Sequence, residues 1–117
     1  MMAKLCGQLN IYNMKLNIKN RLMLLQILPN KGNLLDMVEI MELVKQLKLS
    51  DEEKKVINYR IDNSNNIYWD PDKDYEKEFN LNSDKIKILK DTINKLDSKN
   101  EIPLFLVDLA LEIKNLK

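Results

Sequence analysis

Acidic side chains occupy every second position of one short segment in the middle of the chain. They are Asp70, Asp72, Asp74, Glu76 and Glu78, which together form the acidic strip. Closely spaced carboxylates are the usual ligands of Ca²⁺, which binds six or more oxygen atoms. The strip satisfies the first three acidic positions of the EF-hand loop pattern, but Tyr75 stands where the pattern needs glycine and Leu81 where it needs glutamate. We therefore predict no metal site and interpret the strip as a solvated turn and strand face.

The strip could also supply a general acid and a general base. Two carboxyl groups act in that way when burial drives their pKa values apart. Nothing in the sequence around Asp72 or Asp74 indicates burial, so we expect both side chains in solvent. The chain has no histidine, one cysteine and two glycines, which excludes histidine bases, Cys-X-X-Cys sites and glycine-rich phosphate loops. We therefore predict that the protein is not an enzyme and that it holds no cofactor.

Aromatic side chains are concentrated in the same region. Five of the seven in the chain lie within it: Tyr59, Tyr68, Trp69, Tyr75 and Phe79. Exposed aromatics on a basic sheet can stack nucleic-acid bases, but the carboxylates here repel phosphate. We interpret Trp69 and Phe79 as residues that anchor a sheet to the helices, with the tyrosines at its rim. An acidic, aromatic surface for a protein partner is the alternative, since Tyr and Trp are frequent interface anchors.

The elements that position these residues follow from the spacing of apolar side chains. Alternation at Met14, Leu16 and Ile18 predicts a half-exposed strand, and helical spacing then continues from Asn20 until Pro29 ends it. Asn33 is the expected N-cap of a second helix. That helix is apolar around most of its circumference, which predicts a central position in the domain. A capping box at residues 50–53 opens a short third helix.

The second half of the chain begins with strands and ends with helices. Alternation on both sides of residues 63–66 predicts a β-hairpin, whose turn asparagines tolerate positive φ. Residues 75–81 are expected to add a third strand to the same sheet. Ser83 is the expected cap of a further helix, and Pro103 suits the first turn of the last one. The order β-α-α-α-β-β-β-α-α predicts a helix-dominated α+β domain with a small antiparallel sheet. We place this single domain at residues 14–117, after a loosely held extension at residues 1–13.

The last helix carries two apolar stripes. The first consists of Ile102, Leu106, Leu109, Ile113 and Leu116. The second consists of Leu104, Val107 and Leu111, widened by Phe105. One stripe is enough to close a core. The second predicts either burial by the preceding helix or contact with another molecule, such as a second copy in a symmetric dimer.

Positive and negative charges are separated along the chain, although the net charge is only +1. Residues 1–35 carry five bases and no acid, residues 36–84 carry 13 acids and seven bases, and residues 85–117 carry seven bases and five acids. A net charge this small excludes a general polycation that coats nucleic acid or anionic membrane. No apolar run approaches the length of about 18 residues that a membrane span needs. With the single thiol of Cys6 and no export signal, we expect a cytoplasmic protein.

The opening of the patterned region resembles that of a group of small uncharacterised bacteriophage and prophage proteins. The resemblance rests on the strand at residues 14–18, on Leu24-Leu25-Gln26-Ile27-Leu28-Pro29-Asn30-Lys31-Gly32, on the capping box at residues 50–53 and on the Trp69-containing hairpin. It continues through residues 76–78 to the end of the next helix near Asp97. Residues 1–13 precede the usual start of the group, and the last helix is more apolar than its pattern. The resemblance contains no catalytic motif and implies a phage setting inside a bacterial host.

We predict a small non-catalytic protein of phage type that acts through protein–protein contacts, with a host nucleic-acid or defence enzyme as a candidate target. The acidic middle of the chain would suit a basic partner surface. The candidate contact residues are Trp69, Asp70, Asp72, Asp74, Glu76 and Glu78. The alternative is a winged-helix-like nucleic-acid regulator, since the helix before a hairpin enters the major groove in such proteins. That helix, however, opens with three acids, and we expect no nucleic-acid partner.

Overall fold

The computed structural model describes residues 11–116 of the chain. Its elements are β1 (Ile11–Asn17), α1 (Ile18–Ile27), α2 (Leu34–Leu47), α3 (Asp51–Val56), β2 (Arg60–Ile61), β3 (Ile67–Tyr68), β4 (Glu76–Asn82), α4 (Ser83–Ser98) and α5 (Val107–Lys114). Short 3-10 turns precede β4 (Pro71–Lys73) and α5 (Leu104–Leu106). The predicted element order and the helix-dominated α+β domain are confirmed. No helix within residues 11–116 combines the length and the apolar composition that crossing a membrane requires.

Polar side chains cap the N-termini of α1 to α4 by accepting bonds from backbone N–H groups that have no partner in the first turn. Asn33 accepts from the backbone of Asp36 at 2.8 Å. Ser50 and Glu53 form the predicted capping box, each accepting from the other's backbone N–H. The cap of α4 is Asn82 and not the predicted Ser83, since the Asn82 side chain accepts from the backbone of Lys85.

The strands form two separate two-stranded ladders. β1 and β4 are antiparallel along their whole length, from Ile11 opposite Asn82 to Asn17 opposite Glu76. β2 and β3 pair only with each other, around a turn in which Asn65 has the expected positive φ of 64°. The prediction that residues 75–81 extend the hairpin's sheet is therefore wrong. Alternation predicts which side chains a strand buries, but it does not identify the strand's partner.

The pairing of β1 also moves the start of the domain. Residues 11–13, which we predicted to belong to the N-terminal extension, pair with residues 80–82 of β4. The domain thus begins no later than Ile11, whereas we predicted Met14. The other residues of the predicted extension, 1–10, lie outside the described part of the chain.

Two apolar clusters hold the fold together. The main core lies between the β1–β4 ladder and helices α1, α2, α4 and α5, and it includes Phe79 of β4. A smaller cluster consists of Ile18, Leu49 and Ile57, against which Trp69 packs in a half-buried position. Trp69 and Phe79 therefore belong to different clusters, and the prediction that both anchor one sheet is wrong for Trp69.

Helix α2 lies at the surface, not at the centre as predicted. It buries Ile40, Leu43 and Leu47, but the structure leaves its opposite face uncovered and Leu35 is 81% exposed. The apolar side chains around a helix show how much of its surface could be buried. How much is buried depends on how many other elements pack against the helix.

The two apolar stripes of the C-terminal segment have different surroundings, as their spacing predicts. Leu106, Leu109 and Ile113 are buried in the main core. The second stripe remains in solvent, where Leu104 is 89% and Phe105 is 60% exposed. The preceding helix therefore does not bury the second stripe, which was one of the two predicted outcomes.

Candidate protein-binding site

The acidic strip spans a turn and the strand that follows it. Asp70 and Asp72 lie at the 3-10 turn, Asp74 follows that turn, and Glu76 and Glu78 lie on the outer face of β4. The strip is thus a turn that runs into an exposed strand face, as interpreted from the sequence, except at Asp74. Among residues 11–116, no three acidic or thiol side chains are placed to hold a metal ion together.

Asp70 holds the end of the hairpin in place. Its backbone N–H donates to the carbonyl of Ile57 at 2.8 Å, and its carboxylate lies 3.4 Å from Arg60 and 3.6 Å from Lys73. Partial desolvation acts to raise the pKa of this carboxyl, but hydrogen bonds from Asn58 and Arg60 and the charge of Lys73 lower it overall. Asp70 is thus largely committed to contacts within the chain.

Asp74 connects the loop before β4 to the start of α1. Its carboxylate accepts from the backbone N–H of Ile18 at 2.6 Å and faces that of Lys19 at 3.4 Å. These groups belong to the first turn of α1, where a negative charge also interacts favourably with the helix dipole. The expectation that Asp74 is a solvated surface charge is wrong.

We expect Asp74→Ala to lower the free energy of unfolding by about 1–2 kcal/mol, the usual cost of losing a helix cap. Asp72 is exposed on the neighbouring turn, so Asp72→Ala should change this free energy by less than about 0.5 kcal/mol. Urea denaturation monitored by Trp69 fluorescence measures both. Equal effects of the two substitutions would contradict a capping role for Asp74.

An open groove lies between α1 and the hairpin, and we call it the aromatic groove. Its volume is about 430 Å³. Leu22, Met23 and Leu25 of α1 form one wall, with Lys19 and Gln26 at its edge. Tyr59, Ile67 and Trp69 form the other wall. The groove brings the one tryptophan of the chain next to the exposed Ile67 and to partly exposed apolar side chains of α1, as at many protein-binding surfaces.

The small apolar cluster supports the aromatic wall of this groove. Tyr59 and Trp69 pack against the buried cluster of Ile18, Leu49 and Ile57. Asn58 adopts a positive φ of 57°, which turns the chain sharply from α3 towards β2. Trp69 was predicted from sequence as a contact residue, whereas nothing in the sequence indicated that α1 would supply the opposite wall.

A buried arginine connects the elements around the groove. Arg21 of α1 is fully buried. Its guanidinium donates to both oxygens of Glu53, at 2.6 and 3.0 Å, and to the carbonyls of Leu47 and Lys48, each at 3.1 Å. The hydroxyl of Tyr75 also donates to Glu53 at 3.0 Å. This network joins α1, the end of α2, α3 and the loop before β4.

Sequence reasoning missed this network, although one signal was present. Arg21 stands three positions after Ile18 and three before Leu24, both fully buried, and so lies on the inward face of α1. A charge on an inward face needs a partner. The capping-box acid Glu53 was the available candidate.

Glu53 is held strongly in its charged form. Its pKa falls from the ordinary 4.5 to about 2, chiefly because Arg21 donates to it and also because of bonds from Ser50 and Tyr75, although burial acts in the opposite direction. Burial and the neighbouring Glu53 raise the pKa of Tyr75. The arrangement is a structural ion pair, since its carboxylate is fully occupied by partners within the chain.

We expect this ion pair to make stability depend on pH in the acid range. A carboxyl group whose pKa is lowered on folding stabilises the folded state fully at pH values above its pKa in the unfolded chain, near 4.5. This stabilisation is lost as the pH falls through its pKa in the folded protein, about 2. Between these two values the free energy of unfolding should decrease more steeply for the wild type than for Glu53→Gln. Chemical denaturation at a series of pH values tests this, and identical slopes would contradict it.

The winged-helix alternative remains a prediction. Its recognition helix would be α3, which is six residues long and carries Asp51, Glu52 and Glu53 in its first turn. Carboxylates at that position repel a phosphate backbone.

The aromatic groove is open, apolar and supported from beneath by a buried cluster. The chain matches no protein-family model, and searches of curated proteins and of solved structures gave no match.

Proposed function

We propose that this protein is a non-catalytic protein-binding module and that the aromatic groove is its main contact surface. The observation that carries the proposal is the groove itself, with Trp69, Tyr59 and Ile67 facing Leu22 and Leu25. Partly exposed aromatic and aliphatic walls around a hollow suit an apolar side chain of a partner, which would lose its contact with water there.

The electrostatics of the groove favour a partner segment that is apolar and not basic. Lys19 stands at its edge, and Lys54 lies over the ring of Tyr59, 5.1 Å from its centre. Asp70 lies close by but is bound to Arg60 and Lys73. The phage-type resemblance supports a partner in a bacterial host, with nucleic-acid and defence enzymes as the first candidates.

Two isoleucines of the hairpin provide a matched test. Ile67 lines the groove and Ile61 does not, although the two are opposite each other in the ladder and are 49% and 57% exposed. A host protein captured by the wild type should be lost with Ile67→Glu and retained with Ile61→Glu. Adding the purified partner should also change the fluorescence of Trp69. Binding that survives Ile67→Glu would contradict the proposal.

The exposed stripe of the C-terminal segment supports an additional contact, with a second copy of the chain. Leu104 and Phe105 are exposed, and the same segment contains a hollow of about 320 Å³ lined by Ile102, Val107 and Leu111, among others. Exposed apolar side chains and an apolar hollow in one segment suit a two-fold symmetric interface, in which the same surface of both copies meets. Sedimentation at increasing concentration should show a dimer that Leu104→Asp abolishes. A wild type that stays monomeric throughout would contradict this contact.

A further inference from the structure

A second groove lies between the N-terminal halves of α2 and α4, on the face that the core leaves open. Its volume is about 350 Å³, and its apolar surface comes from Leu35, Val38 and Ile88. Leu34 and Met41 extend the exposed apolar face of α2 beyond it. These α2 positions follow the spacing of three to four residues that matches another helix.

Carboxylates line both sides of this second groove. Asp36 and Glu39 stand on the α2 side, and Asp84 and Asp91 on the α4 side. Lys87 is the one base among the lining residues, so the four acids leave a formal charge of −3. Asp84 and Asp91 are seven positions apart, which places them two turns, or about 10 Å, apart along one face of α4.

Local structure accounts for some of these charges but not for all of them. Asp36 and Asp84 lie in the first turns of their helices, where a negative charge is favourable. Glu39 is paired with the buried Lys85 at 2.9 Å. Asp91 lies in the middle of α4, and its carboxylate has no hydrogen-bond or ion-pair partner among residues 11–116.

We propose that this second groove binds a basic amphipathic helix of a partner protein. The partner's apolar side chains would pack on Leu35, Val38 and Ile88, while its Lys and Arg residues would lie against the carboxylates on both sides. A helix is the fitting shape because both walls are helices and the apolar positions have helical spacing.

The negative charge of the second groove also disfavours other occupants. Nucleic acids and anionic membranes carry phosphate, which four carboxylates repel. Two copies of the chain meeting symmetrically at this face would place two such acidic grooves against each other. A basic partner instead gains attraction on both sides of an apolar contact, and this attraction should weaken with salt.

A synthetic peptide provides the probe. A labelled peptide of about 15 residues, with Leu at helical spacing and Lys elsewhere, is long enough to form a helix on binding. Its fluorescence anisotropy should show saturable binding to the full chain. A peptide with Glu in place of each Lys should not bind.

Charge-matched variants locate the binding. Asp84→Asn with Asp91→Asn should weaken binding of the Lys peptide about tenfold, while Glu76→Gln with Glu78→Gln removes the same charge from the outer face of β4 and should weaken it less than about twofold. Asp91→Asn alone, which leaves the first turn of α4 intact, should still weaken binding about threefold.

The apolar part of the groove has its own test. Leu35→Ser should weaken binding about fivefold. Ile61→Ser changes an exposed aliphatic side chain on β2 that lines neither groove, and it should leave binding unchanged. Absence of saturable binding to the wild type, equal losses in the two charge-matched double variants, or binding that is indifferent to Leu35→Ser would each overturn the proposal.

Discussion

Replacing Arg21 with methionine is expected to lower the free energy of unfolding by about 3–5 kcal/mol, the cost of breaking a buried ion pair. Methionine reproduces the aliphatic stem of arginine but not its guanidinium group, so the loss comes mainly from the polar groups that lose their partner. The carbonyls of Leu47 and Lys48 lose their bonds at the end of α2, and Glu53 loses its main counterion. Urea denaturation followed by circular dichroism measures the change.

The control for this experiment is the exposed Arg60. It forms a longer ion pair with Asp70, at 3.4 Å, and half of its side chain is in solvent. Arg60→Met should change the free energy of unfolding by less than about 1 kcal/mol. Arg21→Lys should recover little of the lost stability, because an ammonium group cannot reach acceptors on several sides at once. Similar losses for Arg21→Met and Arg60→Met would show that the buried network contributes little.

Phe79→Ala is the second substitution with a large expected effect, a loss of about 3–5 kcal/mol in the free energy of unfolding. The ring is buried in the main core and lies opposite Met14 in the β1–β4 ladder. It also lies below the guanidinium of Arg21, 5.1 Å from ring centre to the guanidinium carbon. Truncation would therefore leave a cavity in the core and remove a favourable contact with a buried cation.

The other phenylalanine of the chain provides the matched control. Phe105 is mostly exposed, so Phe105→Ala should change the free energy of unfolding of the monomer by less than about 0.5 kcal/mol. A double-mutant cycle with Arg21→Met and Phe79→Leu should show a coupling of about 0.5–2 kcal/mol. Additive effects in the cycle would mean that the two side chains act independently.

The buried network also bears on the proposed function. Arg21 fixes α1 against α3, and these elements lead into the two walls of the aromatic groove. Variants that weaken the network are therefore expected to bind a partner less well even though none of its residues lines the groove. Binding tests should compare variants, such as Ile67→Glu and Ile61→Glu, that leave this network intact.

The candidate site was only partly predictable from sequence. Trp69 stood out as the single tryptophan within an aromatic cluster, and it does line the aromatic groove. The acidic residues beside it appeared to share one face because they alternate, but Asp74 instead bonds to the backbone of a residue 56 positions away. Alternation describes orientation within a regular strand, and residues 70–74 are not in one.

The amino-acid sequence by itself determined the features that depend on near neighbours. The caps at Asn33 and Ser50, the element order and the two stripes of the C-terminal segment follow from residues within one or two helical turns of each other, so local pattern is sufficient. Only the tertiary structure decided that β4 pairs with β1, that Arg21 is buried against Glu53 and that one face of α2 stays in solvent. These outcomes depend on which distant surfaces bury most apolar area together while leaving no buried charge unpaired, and that competition involves the whole chain at once.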